Sequence, residues 1–266
     1  MPELHHREEG TPGDPAVLLV HGYPESSYMW RAVLGVLAEH GLHALAPDLA
    51  GYGDSEPDPP HTWERHVESL EGFRRARGLE RVALVVHDWG GLIGLRWACD
   101  HPDAVWALCI SDTGFFHDGK WRGPGELLRT AGQGEQFVDG MTRDGFAGLL
   151  SSLSSGIDDA AVDEYFKAFA DEPRRRGQLE LYRSGDFEKL APYEGRLAEL
   201  GVPTLLLWGE DDLAAPLAGA HRFQREIPGA ELEVLEGTGH FVVEDAPDRY
   251  AQALAGFLRR ASGTAA

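Results

Sequence analysis

The chain has 266 residues, enough for one large folded unit or two small ones, and its 42% of hydrophobic residues can build a sizeable core. Its 44 acidic residues against 24 basic ones leave a formal charge of −20, which argues against nucleic acid and anionic membrane, both polyanions, as partners.

Short apolar runs alternate with helix-like segments. LHHRE is the one candidate strand before AVLLV (16–20). AVLLV, LHALAP (42–47), RVALVV (81–86), VWALCIS (105–111), PTLLLW (203–208) and ELEVL (231–235) read as strands. Helices are expected near 27–39, 62–77, 90–100, 215–226 and 247–260. The two-sided apolar character of VALVV and TLLLW suits parallel strands covered on both faces. Such alternation means an α/β fold, a mostly parallel central sheet flanked by helices with right-handed crossovers. From Gly114 to Tyr193 the strands vanish and helical spacing appears in FVDGM (137–141), FAGLL (146–150) and DEYFKAF (163–169). The expected division is a core domain of residues 1–113 and 201–266, with an all-helical cap inserted at 114–200. Phe115, Phe116, Phe137 and Phe146 are expected in the cap core, and Arg174, Arg175 and Arg176 on its exposed surface.

Cys99 and Cys109 both stand in apolar runs, so two buried thiols are expected rather than a disulfide or a metal site. No run resembles a secretory signal or reaches transmembrane length, and the expected location is the cytoplasm.

The stretch LVVHDWGG (84–91) carries the chemistry. An apolar strand ends in a carboxylate, the chain reverses on small residues, and a helix begins. In open α/β sheets ligands bind beyond the carboxyl ends of the strands, and a helix N-terminus favours a negative charge there. This is a nucleophile elbow with Asp88 in place of a serine, although Val86 stands where the pattern has its first glycine. Helix capping is the ordinary job of an Asp in that position. A carboxylate is already ionised at neutral pH and can displace a leaving group from saturated carbon, forming an alkyl ester; attack on a carboxylic ester would give only an anhydride. The alkyl ester then needs a base to activate water. GTGHF (237–241) offers His240 after the last strand, and WGEDD (208–212) offers Asp211 or Asp212 after the strand before it. The order nucleophile, acid, base suits this fold.

HGYPESSYMW (21–30), DLAGYGDS (48–55), VVHDWGG, WGEDDLAAP (208–216) and GTGHF resemble, in order, the motifs of the α/β-hydrolase superfamily in its haloalkane dehalogenase and epoxide hydrolase group. The resemblance implies Asp88 as nucleophile, His240 as base and Asp212 as acid. It implies an oxyanion hole made by the backbone N–H groups of Tyr23 and Trp89, with no metal and no organic cofactor. Asp112, in CISDTG, stands where some dehalogenases carry the acid instead; its plainer reading is a strand-end carboxylate capping the next turn. The sheet is expected to have one strand fewer than the usual eight.

A leaving halide wants fixed N–H donors. The Trp89 indole could be one, although the epoxide hydrolases that the chain resembles also carry HDWG, so Trp89 does not separate the two activities; Trp121 is the only tryptophan in the cap region. An opening epoxide needs an acid. Tyr182 resembles the later of the two cap tyrosines of epoxide hydrolases, but no tyrosine lies between Gly114 and Glu164 to match the earlier one, leaving Tyr165 and Tyr193 as substitutes. Haloalkane dehalogenation is the first reading and epoxide hydrolysis the alternative. An esterase-like hydrolase or a non-catalytic small-ligand binder stands behind both. The expected partner is a small apolar organic substrate, with no nucleic acid and no membrane, acting on a monomer or homodimer. His21 is read as orienting its loop and His87 as support behind the elbow.

Overall fold

The computed structural model describes residues 3–263. Seven strands form one sheet: β1 (His6–Glu9), β2 (Ala16–Val20), β3 (His43–Pro47), β4 (Val82–His87), β5 (Val105–Ser111), β6 (Thr204–Gly209) and β7 (Glu231–Leu235). Their order is β1-β3-β2-β4-β5-β6-β7. β1 runs antiparallel to β3, and every other neighbouring pair is parallel. All seven match runs read from the sequence, the first of them overlapping LHHRE and ending one residue beyond it.

Helices cover both faces. α1 (Arg31–Glu39), α2 (Trp63–Ala76) and α3 (Trp89–Asp100) alternate with the first strands. Between β5 and β6 no strand occurs; the chain forms α4 (Pro124–Arg129), α5 (Gln133–Gly140), α6 (Arg143–Ser151), α7 (Asp159–Phe166), α8 (Glu172–Ser184) and the short α9 (Arg196–Glu199), joined by turns of 3₁₀ helix. α10 (Ala218–Glu226), α11 (Val242–Asp245) and α12 (Pro247–Ala261) follow β6 and β7. Among the described residues no helix is long and apolar enough to cross a membrane.

Local sequence explains these elements. In β4 all six residues of VALVVH are buried, because helices pack on both sides of the central strands. α12 starts on Pro247, which has no N–H to lose at that position, and buries Tyr250, Ala251, Leu254, Ala255, Phe257 and Leu258 along one stripe. Cys99 and Cys109 are free and buried, and burial pushes both thiols up to about 12. Phe146 is fully buried in the cap and Phe115 nearly so. Arg174 departs from expectation: instead of lying on an open surface it ion-pairs with Asp171 and donates to the Ser55 carbonyl at 3.2 Å, tying α8 to the loop after β3.

The topology decides where a site can form. β2 pairs with β3 on one side and β4 on the other, so the chain reverses its direction of travel across the sheet there. Loops leaving β2 and β4 diverge and open a crevice at their carboxyl ends. The HGYP loop and the HDWG turn flank that crevice.

Candidate active site

Asp88 sits between the end of β4 and the start of α3 with φ 46° and ψ −121°, a conformation side chains other than glycine rarely adopt. Close approach of neighbouring backbone enforces it. A Cβ on Gly90 would lie 2.2 Å from the Val20 carbonyl oxygen, and one on Gly22 would lie 2.4 Å from the Asp88 Cβ. The Thr113 hydroxyl donates to the Asp88 carbonyl at 2.6 Å, and the Gly91 amide does so at 2.9 Å. The turn therefore aims the carboxylate outward on a rigid support.

The Tyr23 amide donates to Asp88 Oδ1 at 2.7 Å. His240 Nε2 stands 3.5 Å from Asp88 Oδ2, an ionic contact longer than a tight hydrogen bond. On the other side of the ring, His240 Nδ1 meets Asp212 Oδ2 at 2.9 Å. Asp212 Oδ1 accepts the amides of Ala214 and Ala215 at 2.7 and 2.9 Å. The acid that reaches the histidine is thus Asp212; Asp211 is exposed, its amide bonded to the Thr238 carbonyl. Asp112 does not bond the histidine. It is fully buried behind Asp212, with φ 43°, accepting the Gly209 amide at 2.9 Å.

The electrostatics follow from burial set against partners. Burial would raise the Asp88 carboxyl, but His240, His87 and the Tyr23 amide hold it below the usual carboxylate range. Burial likewise works against Asp212, yet the His240 ring, the Ala215 amide and Asp112 hold it down at about 2. For His240, burial disfavours the charged ring, but Asp212 and Asp88 outweigh it and lift the imidazole well above its ordinary value.

Two further histidines brace the crevice. His21 donates from Nδ1 to the Gly22 carbonyl at 2.8 Å, and its Nε2 accepts the Leu49 amide at 2.9 Å. Burial keeps it neutral. It locks the HGYP loop to the loop after β3, as the sequence suggests. His87 faces acceptors on both sides, Glu25 Oε2 at 2.9 Å and the His240 carbonyl at 2.8 Å. Both ring nitrogens must then carry protons. The Glu25 carboxylate outweighs burial and holds the ring above its ordinary value. Glu25 Oε2 also accepts the Gly22 amide at 3.1 Å, so one buried ion pair fixes three loops. Glu25 carries no such signal in the sequence beyond its place four residues after His21.

Aromatic residues cluster around Trp89. Trp89 stacks on Trp121 at 5.2 Å with 21° between planes and meets Trp63 and Tyr182 edge-on. Its indole Nε1 is buried with no hydrogen-bond partner, and the Tyr182 ring packs edge-on beside it. The Trp121 Nε1–H is committed to the Gly185 carbonyl at 2.6 Å. The Tyr23 hydroxyl donates to Gln178 on α8 at 2.9 Å. Tyr52, in the loop after β3, packs edge-on against Tyr23, and its buried hydroxyl has no partner. Tyr165 bonds Glu244, and Tyr193 bonds Asp100 at 3.1 Å and takes the Arg96 Nε–H at 3.2 Å; neither stands at the crevice. A groove of about 270 Å³ runs past His240, lined by Leu153, Ser154, Leu213 and Thr238 among others.

Comparison with known proteins bears on the family and the fold. The family model described as the alpha/beta hydrolase fold matches residues 15–247. A haloalkane dehalogenase from Mycobacterium marinum is 38% identical over 268 residues, covering 94% of this chain and 86% of the relative. Epoxide hydrolase A from Mycobacterium tuberculosis is 29% identical over 300 residues, covering 94% and 92%. The crystal structure of the haloalkane dehalogenase DbeA from Bradyrhizobium elkani superposes with a TM-score of 0.84 at 25% identity, covering 98% of this chain and 95% of that one. A strained elbow at the switch point, a histidine and an acid after the last two strands, and relatives of one kind across nearly the whole length lead to one conclusion: the chain belongs to the α/β-hydrolase superfamily, in its haloalkane dehalogenase and epoxide hydrolase group, and is a hydrolase.

Proposed function

We propose that the chain is a haloalkane dehalogenase that works through an Asp88 ester. An Asp88 oxygen attacks the carbon bearing the halogen, the carbon–halogen bond breaks with its electron pair, and halide leaves. The resulting ester removes the negative charge of Asp88. One of the two carboxylates that hold His240 protonated is then neutral, so the ring releases its proton to solvent, where it balances the departed halide, and becomes the base. It takes a proton from water as the hydroxide adds to the ester carbonyl. The backbone N–H groups of Tyr23 and Trp89 hold the oxyanion, collapse returns the proton to the departing alkoxide and frees the alcohol, and the Asp88 carboxyl left behind passes its proton to His240, which restores the resting pair. Asp212 keeps the ring oriented throughout.

The observation that carries the dehalogenase reading is the Trp89 indole N–H, buried beside Asp88 with no acceptor of its own. A buried donor without a partner costs free energy unless a ligand meets it. A halide needs donors only, and Tyr182 offers a second: burial and the nearby Asp88 charge hold its phenol protonated. Trp121, whose N–H is already bonded, serves by walling the site. An epoxide hydrolase reading has its own support in Tyr182 together with the unpartnered Tyr52 hydroxyl, which could pass a proton to an alkoxide.

The test uses His240→Ala, which keeps the nucleophile and removes the base. Incubated with n-butyl bromide, it should accumulate a butyl adduct on the Asp88 peptide, seen by mass spectrometry, with release of one bromide. An adduct with styrene oxide but none with the bromide would transfer the assignment to epoxide opening. No adduct with either would remove the covalent mechanism.

A further inference from the structure

Asp112 follows β5 and Asp212 follows the neighbouring strand β6, and each carboxyl stands close enough to act on the charge of the other. Their surroundings differ. Asp212 receives three donors: the Ala214 and Ala215 amides and the His240 ring. Asp112 receives one, the Gly209 amide on Oδ1, while its Oδ2 is buried with no donor at all. It is fully buried, with its backbone at a positive φ that keeps the side chain pointed into this position. Two neighbouring carboxyls out of water are not both kept ionised, and the proton goes to the one with fewer donors.

Resting on the reading of His240 and Asp212 given above, we propose that Asp112 is a neutral carboxylic acid that donates a hydrogen bond to Asp212 and positions it against His240. It is a positioning residue, distinct from either role that the sequence leaves open for it. Burial and the Asp212 charge both push the Asp112 carboxyl well above the usual range, in line with this assignment. The neighbouring Tyr250 on α12 is itself held protonated by burial and adds no charge. The consequence is functional. With Asp112 neutral, the ester state leaves His240 facing a single anion, Asp212. A second anion would bind the imidazole proton too tightly for the ring to act as a base near neutral pH.

Two readouts test this. First, the infrared difference spectrum between the parent and Asp112→Asn at neutral pH should contain a carboxylic-acid C=O band that shifts in heavy water. This requires no substrate and holds or fails independently of the Asp88 chemistry. Second, Asp112→Ala should hydrolyse the butyl ester roughly ten- to a hundredfold more slowly than Asp112→Asn, whose amide N–H can still donate to Asp212. The rate of ester formation should differ little between the two. Absence of the band, or an Asp112→Asn variant as slow as Asp112→Ala, overturns the proposal. If Asp112→Ala does not fold, or no butyl ester forms, the infrared band alone decides.

Discussion

At the scale of single residues, His240 is a histidine between two carboxylates, 2.9 Å from one and 3.5 Å from the other. Its protonation therefore depends on whether Asp88 is charged. A measurable shift follows. In Asp88→Asn the amide mimics the neutral ester, so one raising influence on His240 disappears and the ring's pKa should fall. NMR titration of the imidazole in parent and variant checks the sign; an unchanged or higher value would break the proposed switch from acid to base. The same variant should lose turnover of n-butyl bromide by at least about a thousandfold, since an amide is not a competent nucleophile. Early rates on fresh protein read this before any deamidation restores the acid.

At the scale of elements, the elbow is a contact between strand and helix. α3 enters so close to β2 that residue 90 has no room for a methyl group: its Cβ would stand 2.2 Å from the Val20 carbonyl oxygen. Backbone cannot yield as a flexible side chain can. Gly90→Ala should therefore destabilise the fold by about 1–3 kcal/mol, through overpacking, with a matching loss in the urea midpoint. It should also move Asp88 relative to the Tyr23 amide and lower turnover. A variant of parental stability would show that α3 can slide, and that the strained turn is not held by packing.

At the scale of the molecule, the cap is fastened to the core on several seams. Arg31 on α1 pairs with both oxygens of Glu244, and Tyr165 on α7 donates to the same carboxylate. Next to it, Asp245 accepts the amides of Ser155 and Gly156 from the cap and that of Gly239 beside His240. Lys167 reaches Asp54 and Lys189 reaches Glu64 across the same boundary. These exposed pairs weaken in salt, whereas Glu244 is buried and its partners would be stranded without it. Glu244→Ala should cost about 1–3 kcal/mol, discounted because Arg31 can turn toward water, and urea unfolding would register it. A loss that vanishes in high salt would reduce this seam to a surface pair.

Much of this architecture is written locally. Alternating buried strands and helices, the glycines that follow Asp88 and precede His240, and the order of the motifs are short-range patterns. They were enough to place every strand, the helical insertion and the Asp88, Asp212 and His240 candidates. The carboxylate oxygens that turn Asp212 rather than Asp211 toward the ring, the ion pair of His87 with Glu25, the occupied N–H of Trp121 and the free N–H of Trp89 belong to the tertiary structure. Each depends on which side chains the packed sheet and cap bring within hydrogen-bonding distance across long stretches of chain. Periodicity records which face of an element is buried, but not what it will meet there.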